Sequence, residues 1–216
     1  MESLDNQYDA AQLNKFKKDE LIELIFQLQK EKNIIKLESE AMKSITDRVT
    51  ELERSHYLYM QYGRRESVEI TGIPDEIEQN NLEDEVLNIY TEAKVEIFGR
   101  RLEKSDITAC HRVGKKGVTV VRFVNRKFAN EGLYCGKNLK NTRIYGNSPV
   151  YINNSFCREF KKYGYIIRKL KNNKQIDSYK IKHGVYNIKK DPYGPLVEIA
   201  HLNDFEKCGI DVQAFL

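Results

Sequence analysis

From Leu21 to Tyr59 apolar residues recur every three or four positions without a proline or glycine, whereas beyond Gly63 the pattern breaks into short runs separated by turn residues. Counted in heptads, Leu21, Leu28, Ile35, Met42, Val49 and His56 fall at a, and Leu24, Glu31, Glu38, Ile45, Leu52 and Tyr59 at d. That narrow stripe suits a seam between helices better than the broad face of a helix folded back on its own domain, so it predicts a coiled coil over residues 21–62. At 1.5 Å per residue such a helix is about 65 Å long, more than a small domain needs for packing. The two Glu at d interrupt the seam, and Ile34, Leu37 and Ala41 offer a locally shifted register. The later heptads are the more regular. There Arg48-Val49-Thr50-Glu51-Leu52-Glu53 matches the R-h-x-x-h-E pattern of parallel trimers, in which Arg at g bonds Glu at e of a neighbouring helix. Leu28, Ile35, Met42, Ile45, Arg48, Val49, Leu52 and Glu53 are the expected oligomerisation set. Residues 1–20 precede it as a polar leader, whose Leu13 and Phe16 fit a short helix or a mobile segment equally.

Past Gly63 the alternation in Ser67–Ile73 predicts a strand closed by Pro74, and residues 82–98 a helix, with Leu82, Val86, Ile89, Tyr90, Ala93 and Ile97 on one side. Strands follow at Ile107–Val113 and Val118–Asn125, joined by Gly114-Lys115-Lys116-Gly117, then a helix over residues 126–140 and a short strand at Pro149–Asn153. Strand, helix, strand, strand, helix, strand is the split βαβ order of ferredoxin-like domains, so residues 63–153 are expected to form one α+β domain. Residues 154–216 predict a second, small basic α+β domain. Ser155 is expected to cap a helix reaching Lys171, followed by a hairpin turned at His183-Gly184, a strand at Leu196–Ile199 and a short helix around Leu202 and Phe205.

Charge sharpens the picture because it is uneven. The net charge is only +4, yet residues 99–150 hold 12 basic and 3 acidic side chains, and residues 155–190 hold 11 and 2. Two basic blocks on an acidic background point to a polyanionic partner. The stretch Lys116–Phe123, KGVTVVRF, also overlays the RNA-recognition-motif signature at Lys116, Gly117, Val121 and Phe123. Where that signature places base-stacking aromatics, Val118 and Val120 stand instead, and the matching position of the first strand is Glu69. Stacking on that sheet is therefore not expected to read bases.

Several chemistries find no support. Cys110, Cys135, Cys157 and Cys208 have no zinc or redox spacing, and free thiols are expected. GKKG lacks Walker spacing and reads as a hairpin turn. The carboxylates at 83–85 suit the start of a helix, and His111 has no nucleophile or carboxylate tied to it in sequence. No enzyme activity, cofactor, metal, signal peptide or membrane span is expected.

Together the heptad helix ending in QYGRRES, the strand VEITGIP, the pair CHRVG, the strand VTVVRFVNRK and the helix FCREFKKYGYIIRKLK resemble the first open-reading-frame protein of LINE-type non-LTR retrotransposons. Baculovirus few-polyhedra proteins look similar, so viral or transposon origin stays open. The resemblance covers roughly residues 21–205. It implies a homotrimeric coiled coil, an RNA-recognition motif that departs from the usual pattern and a small C-terminal domain. It further implies that these coat single-stranded RNA, or DNA, as a nucleic-acid chaperone in a cytoplasmic ribonucleoprotein, with nuclear access left open. In that family RNA lies in a basic cleft, which by motif would be lined by Arg64, Arg65, Arg112, Arg122, Lys161, Lys162 and Tyr179. Lys161 and Lys162 stand where relatives often carry Arg, which keeps charge but loses the bidentate phosphate contact. Lys115, Lys116, Arg126, Lys127, Arg158, Arg168 and Lys169 complete the basic candidates. Arg112 and Arg122 fit a phosphate contact or a local ion pair, and Tyr179 a stacked base or an ordinary strand tyrosine. The alternative function is a coiled-coil viral structural or trafficking scaffold.

Overall fold

The computed structural model describes residues 18–114, 117–146, 148–212 and 215, so the expectations for most of the leader and for Lys115 and Lys116 lie outside the described residues. The chain is α+β, with a long N-terminal helix and antiparallel sheets. It divides into two compact units, Met1–Leu52 and Glu53–Leu216.

The first unit is described as helix alone, the greater part of α1 (Lys18–Tyr62). With 45 residues and no internal breaker, α1 is roughly 65 Å long. Its apolar a and d positions are open to solvent at Leu28, Ile35, Met42, Ile45, Val49 and Leu52. No helix among the described residues is long and apolar enough to cross a membrane.

The second unit holds two hydrophobic cores. The first lies under a four-stranded sheet of β1 (Ser67–Thr71), β2 (Ile107–Val113), β3 (Val118–Phe123) and β4 (Tyr151–Asn154), ordered β2-β3-β1-β4 with every pair antiparallel. Alternation decides the faces. Val68, Ile70, Val121, Phe123 and Ile152 turn inward onto α2 (Leu82–Glu92) and α3 (Arg126–Cys135), where the Phe123 ring packs in tilted contact with Tyr90 at 5.3 Å and Phe128 at 6.3 Å. On the other face the register sets His111, Val120, Glu69 and Asn153 in one row, with Arg122 beside Ser67. In the second core α4 (Arg158–Asn172) lays Phe160, Tyr163, Ile166, Ile167 and Leu170 on a sheet of β5 (Ser178–Lys182), β6 (Val185–Lys189) and β7 (Leu196–Ile199), closed by Phe205 of α5 (Asn203–Lys207).

β1 stops at Thr71, β3 at Phe123, and β4 spans Tyr151–Asn154, each offset from its expected bounds, and the helices differ more. Residues 82–98 do not make one helix. α2 stops at Glu92, because Lys94 takes a left-handed φ of 60° while the N–H groups of Lys94 and Val95 return to the carbonyls of Thr91 and Tyr90, a Schellman closure with lysine in the usual glycine place. The helix expected over residues 126–140 tightens into 3₁₀ geometry from Gly136. Ser155 caps nothing; Cys157 is the N-cap of α4, and the Ser155 hydroxyl is used elsewhere.

The last turns of α1 belong to the second unit. Arg54, Tyr57, Leu58 and Gln61, spaced i, i+3, i+4 and i+7, form the stripe that packs down. Tyr57 stacks on His201 with ring centroids 6.1 Å apart, and Arg54 pairs with Asp204 and, at 3.7 Å, with Glu198. Burial alone would raise the Asp204 carboxyl, but the N–H groups of Ala200 and His201, Lys207 and the Arg54 charge together hold it below the ordinary range. Glu53, expected to meet Arg48 of a neighbouring helix, is bonded here by the His201 ring at 3.1 Å.

Candidate functional site

Gln61 is the one buried residue of α1, 1% exposed, and it sets the geometry around it. Its Nε2 donates to the Ser155 carbonyl and its Oε1 accepts from the Cys157 N–H, both at 3.0 Å, so one amide satisfies two buried backbone groups on the path from β4 into α4. The Ser155 hydroxyl in turn donates to Glu69 Oε1 and accepts from Arg64 Nη1, each at 3.3 Å. Lys161 of α4 reaches the same Glu69 oxygen at 2.8 Å. Glu69, standing on the open sheet face where an aromatic platform would be expected, thus anchors α4. Gln61→Ala leaves the Ser155 carbonyl and the Cys157 N–H without partners, and should cost about 3 kcal/mol in urea unfolding; a loss under about 1 kcal/mol would mean that water replaces the amide freely.

Beside this joint lies a cleft of about 470 Å³. Directly after Gln61 the backbone turns, with Gly63, Arg64 and Arg65 returning N–H bonds to Tyr59, Gln61 and Tyr62, and this projects Arg64 and Arg65 into the cleft. Arg65 leans on the Tyr62 ring at 4.7 Å, and its buried Nε has no protein partner. Arg126, Asn130 and Tyr134 line the opposite wall from α3, whose first turn is capped by Asn125 accepting from the Lys127 N–H at 2.9 Å. Lys182, His183 and Gly184 enter from the β5–β6 turn. That turn needs positive φ at both central residues, 52° at His183 and 76° at Gly184, and a Cβ on Gly184 would stand 2.9 Å from the Gln61 amide nitrogen. No carboxylate is among the lining residues, in a chain with 32 Asp and Glu.

Of the expected site residues, the cleft therefore gathers Arg64, Arg65 and Arg126. Lys161 lies nearby but is held by Glu69. Arg122 is on the open sheet face, 3.3 Å from Glu66. Arg112 does something different: its guanidinium donates to the carbonyls of Ile73, Pro74 and Ile77 and pairs with Asp75 at 3.3 Å, clamping the loop after β1. Arg158, Lys162, Arg168 and Lys169 are exposed on α4, with Lys169 over the Tyr165 ring. Tyr179 lines a separate shallow groove with Lys180 and Lys189 and lies 6.4 Å from Tyr186, whose hydroxyl burial pushes up to about 12. Tyr134, Lys182 and His183 were not anticipated. Lys182 and His183 could have been suspected from two basic side chains directly preceding a turn glycine; Tyr134 carries no such mark.

Burial raises all four free thiols, Cys110 to about 11, and among the described residues no cluster of His, Cys, Asp and Glu could hold a metal ion. What the arrangement can do is attract and hold anions, with planar donors from Arg and amides able to meet phosphate oxygens. No protein-family model matches the chain, and no curated protein matches it significantly.

Proposed function

We propose that this chain is an oligomeric, largely sequence-independent binder of single-stranded RNA, able also to hold DNA, that packages its RNA in a cytoplasmic ribonucleoprotein and acts on it as a chaperone. The observation that carries the reading is the cleft with Arg64, Arg65, Arg126 and Lys182 on its walls and no carboxylate. Cations without internal acid partners are free to displace counterions from a phosphate backbone. In this reading the first core is an RNA-recognition-motif-like split βαβ domain, which agrees with its element order and its β2-β3-β1-β4 sheet. Its open face carries Val118, Val120 and Glu69 where stacking aromatics would stand, so contact passes from the sheet to the cleft and to the basic surface of α4. The exposed a and d residues of α1 would bury one another in a homotrimeric coiled coil, multiplying weak backbone contacts along one strand.

The same exposed seam favours a second reading, a scaffold that oligomerises through α1 and holds protein partners. Salt separates the two. For the cleft-bound strand, fluorescence anisotropy across rising salt should give log K falling against log salt with a slope of about −3, at roughly 0.7 for each of four cations. Absent or salt-independent RNA binding would reject the RNA reading in favour of the scaffold.

A further inference from the structure

Beyond α2 the chain makes a two-residue hairpin turn at Phe98-Gly99, in which Ile97 and Arg100 exchange both backbone hydrogen bonds at 2.9 and 3.2 Å. Both turn residues have positive φ, 56° at Phe98 and 76° at Gly99. This is type I′ geometry, where asparagine, aspartate or glycine is the comfortable occupant of the first position and a bulky side chain is strained. The phenyl ring gains nothing by burial to offset that, being 81% exposed. The Lys127 ammonium lies over it, 4.1 Å from the ring centre. Lys127 follows Arg126 of the cleft, and among the described residues it has no carboxylate partner. Phe98 and Lys127 border a groove of about 300 Å³ that shares Asn130 with the cleft.

A strained, exposed aromatic adjoining a cationic cleft is explained by a planar ligand rather than by folding. We propose that Phe98 is a base-stacking platform, on which a nucleobase of the strand held in the cleft stacks after crossing α3. This rests on the RNA-binding reading above. Glu96, paired with Arg101 at 3.8 Å, and Glu131 also border the groove, and the exocyclic amino group of a base entering it can donate to a carboxylate. Lys127 covers the ring on one side and leaves the exposed remainder to the base, a cation–π contact of the kind that accompanies single-strand stacking. The aromatic surface missing from the sheet at Val118, Val120 and Glu69 is thereby supplied from a turn.

The test uses the full chain and an oligouridine carrying 2-aminopurine at each position in turn. Wild type should change the probe's fluorescence at the positions that reach Phe98. Phe98→Asn, which suits the turn, should melt no lower than wild type and yet lose that signal and weaken binding about tenfold, whereas Phe98→Tyr should retain both. If wild type binds the strand and Phe98→Asn binds it equally with the same fluorescence, the platform is refuted while the RNA reading stands. If wild type binds no RNA, both fall together.

Discussion

Replacing Arg64, Arg65 and Arg126 together by alanine should weaken binding of single-stranded RNA about fiftyfold at physiological salt and flatten the salt slope by about 2. The magnitude follows from counterion release: at roughly 0.7 per phosphate and a salt concentration near 0.15 M, each lost contact removes about fourfold. These three are the expected site residues that the cleft gathers, and none has a carboxylate partner among the described residues. They contribute little to the fold. Arg64 makes one long bond to the Ser155 hydroxyl, Arg65 has an unpartnered Nε and one contact with the exposed Tyr62 ring, and Arg126 is a cation in the first turn of α3, where the helix dipole disfavours it. Thermal melting should therefore stay near wild type while affinity, measured by anisotropy at several salt concentrations, falls for all sequences alike. Unchanged affinity in a normally melting variant would move RNA binding out of the cleft.

The contrast between those arginines and Arg112 shows how far the sequence could be read. Period and turn chemistry located the elements, since β2 and β7 lie where alternation predicts and the His183-Gly184 turn falls between β5 and β6. Which face each strand presents also followed, so Val118, Val120 and Glu69 could be assigned together to the open side. What pattern cannot carry is the commitment of a polar side chain to a partner far along the chain. Arg112 looks as free as Arg64 until the carbonyls of Ile73, Pro74 and Ile77 are seen around it. Lys161 looks like a phosphate ligand until Glu69 meets it, and Gln61 gives no sign that it will bond Ser155 and Cys157, more than ninety residues away. The end of α2 was missed for a related reason, because Lys94 adopts the left-handed conformation that sequence rules assign to glycine.

Replacing both Val49 and Leu52 by aspartate should convert the protein to monomers in light scattering without unfolding its second unit. In the heptad frame Val49 is an a residue and Leu52 a d residue, and they are 48% and 69% exposed in the single chain. Regularly spaced exposed apolar side chains mark an interaction surface, which in the proposed assembly a partner helix would cover. The two aspartates would bury two unpaired charges per helix in a closed seam, a cost of several kcal/mol each that a seam already holding Glu31 and Glu38 at d cannot absorb. The fold should survive because a different face of α1 makes the internal contacts. Within the second unit Arg54, Tyr57, Leu58 and Gln61 occupy f, b, c and f, while His56 at a and Tyr59 at d stay exposed. The docking face and the proposed seam thus lie on opposite sides of the same turns. Glu53 meets His201 through Oε2 and keeps its other oxygen for a neighbour's Arg48, but so exposed a pair is worth little, and in the proposed assembly the apolar seam would contribute more than that ion pair. Monomers that keep wild-type melting but bind long RNA far more weakly than short RNA, relative to wild type, would show that the coil works by multiplying contacts. Persistent trimers in the doubly substituted chain would exclude this seam as the interface.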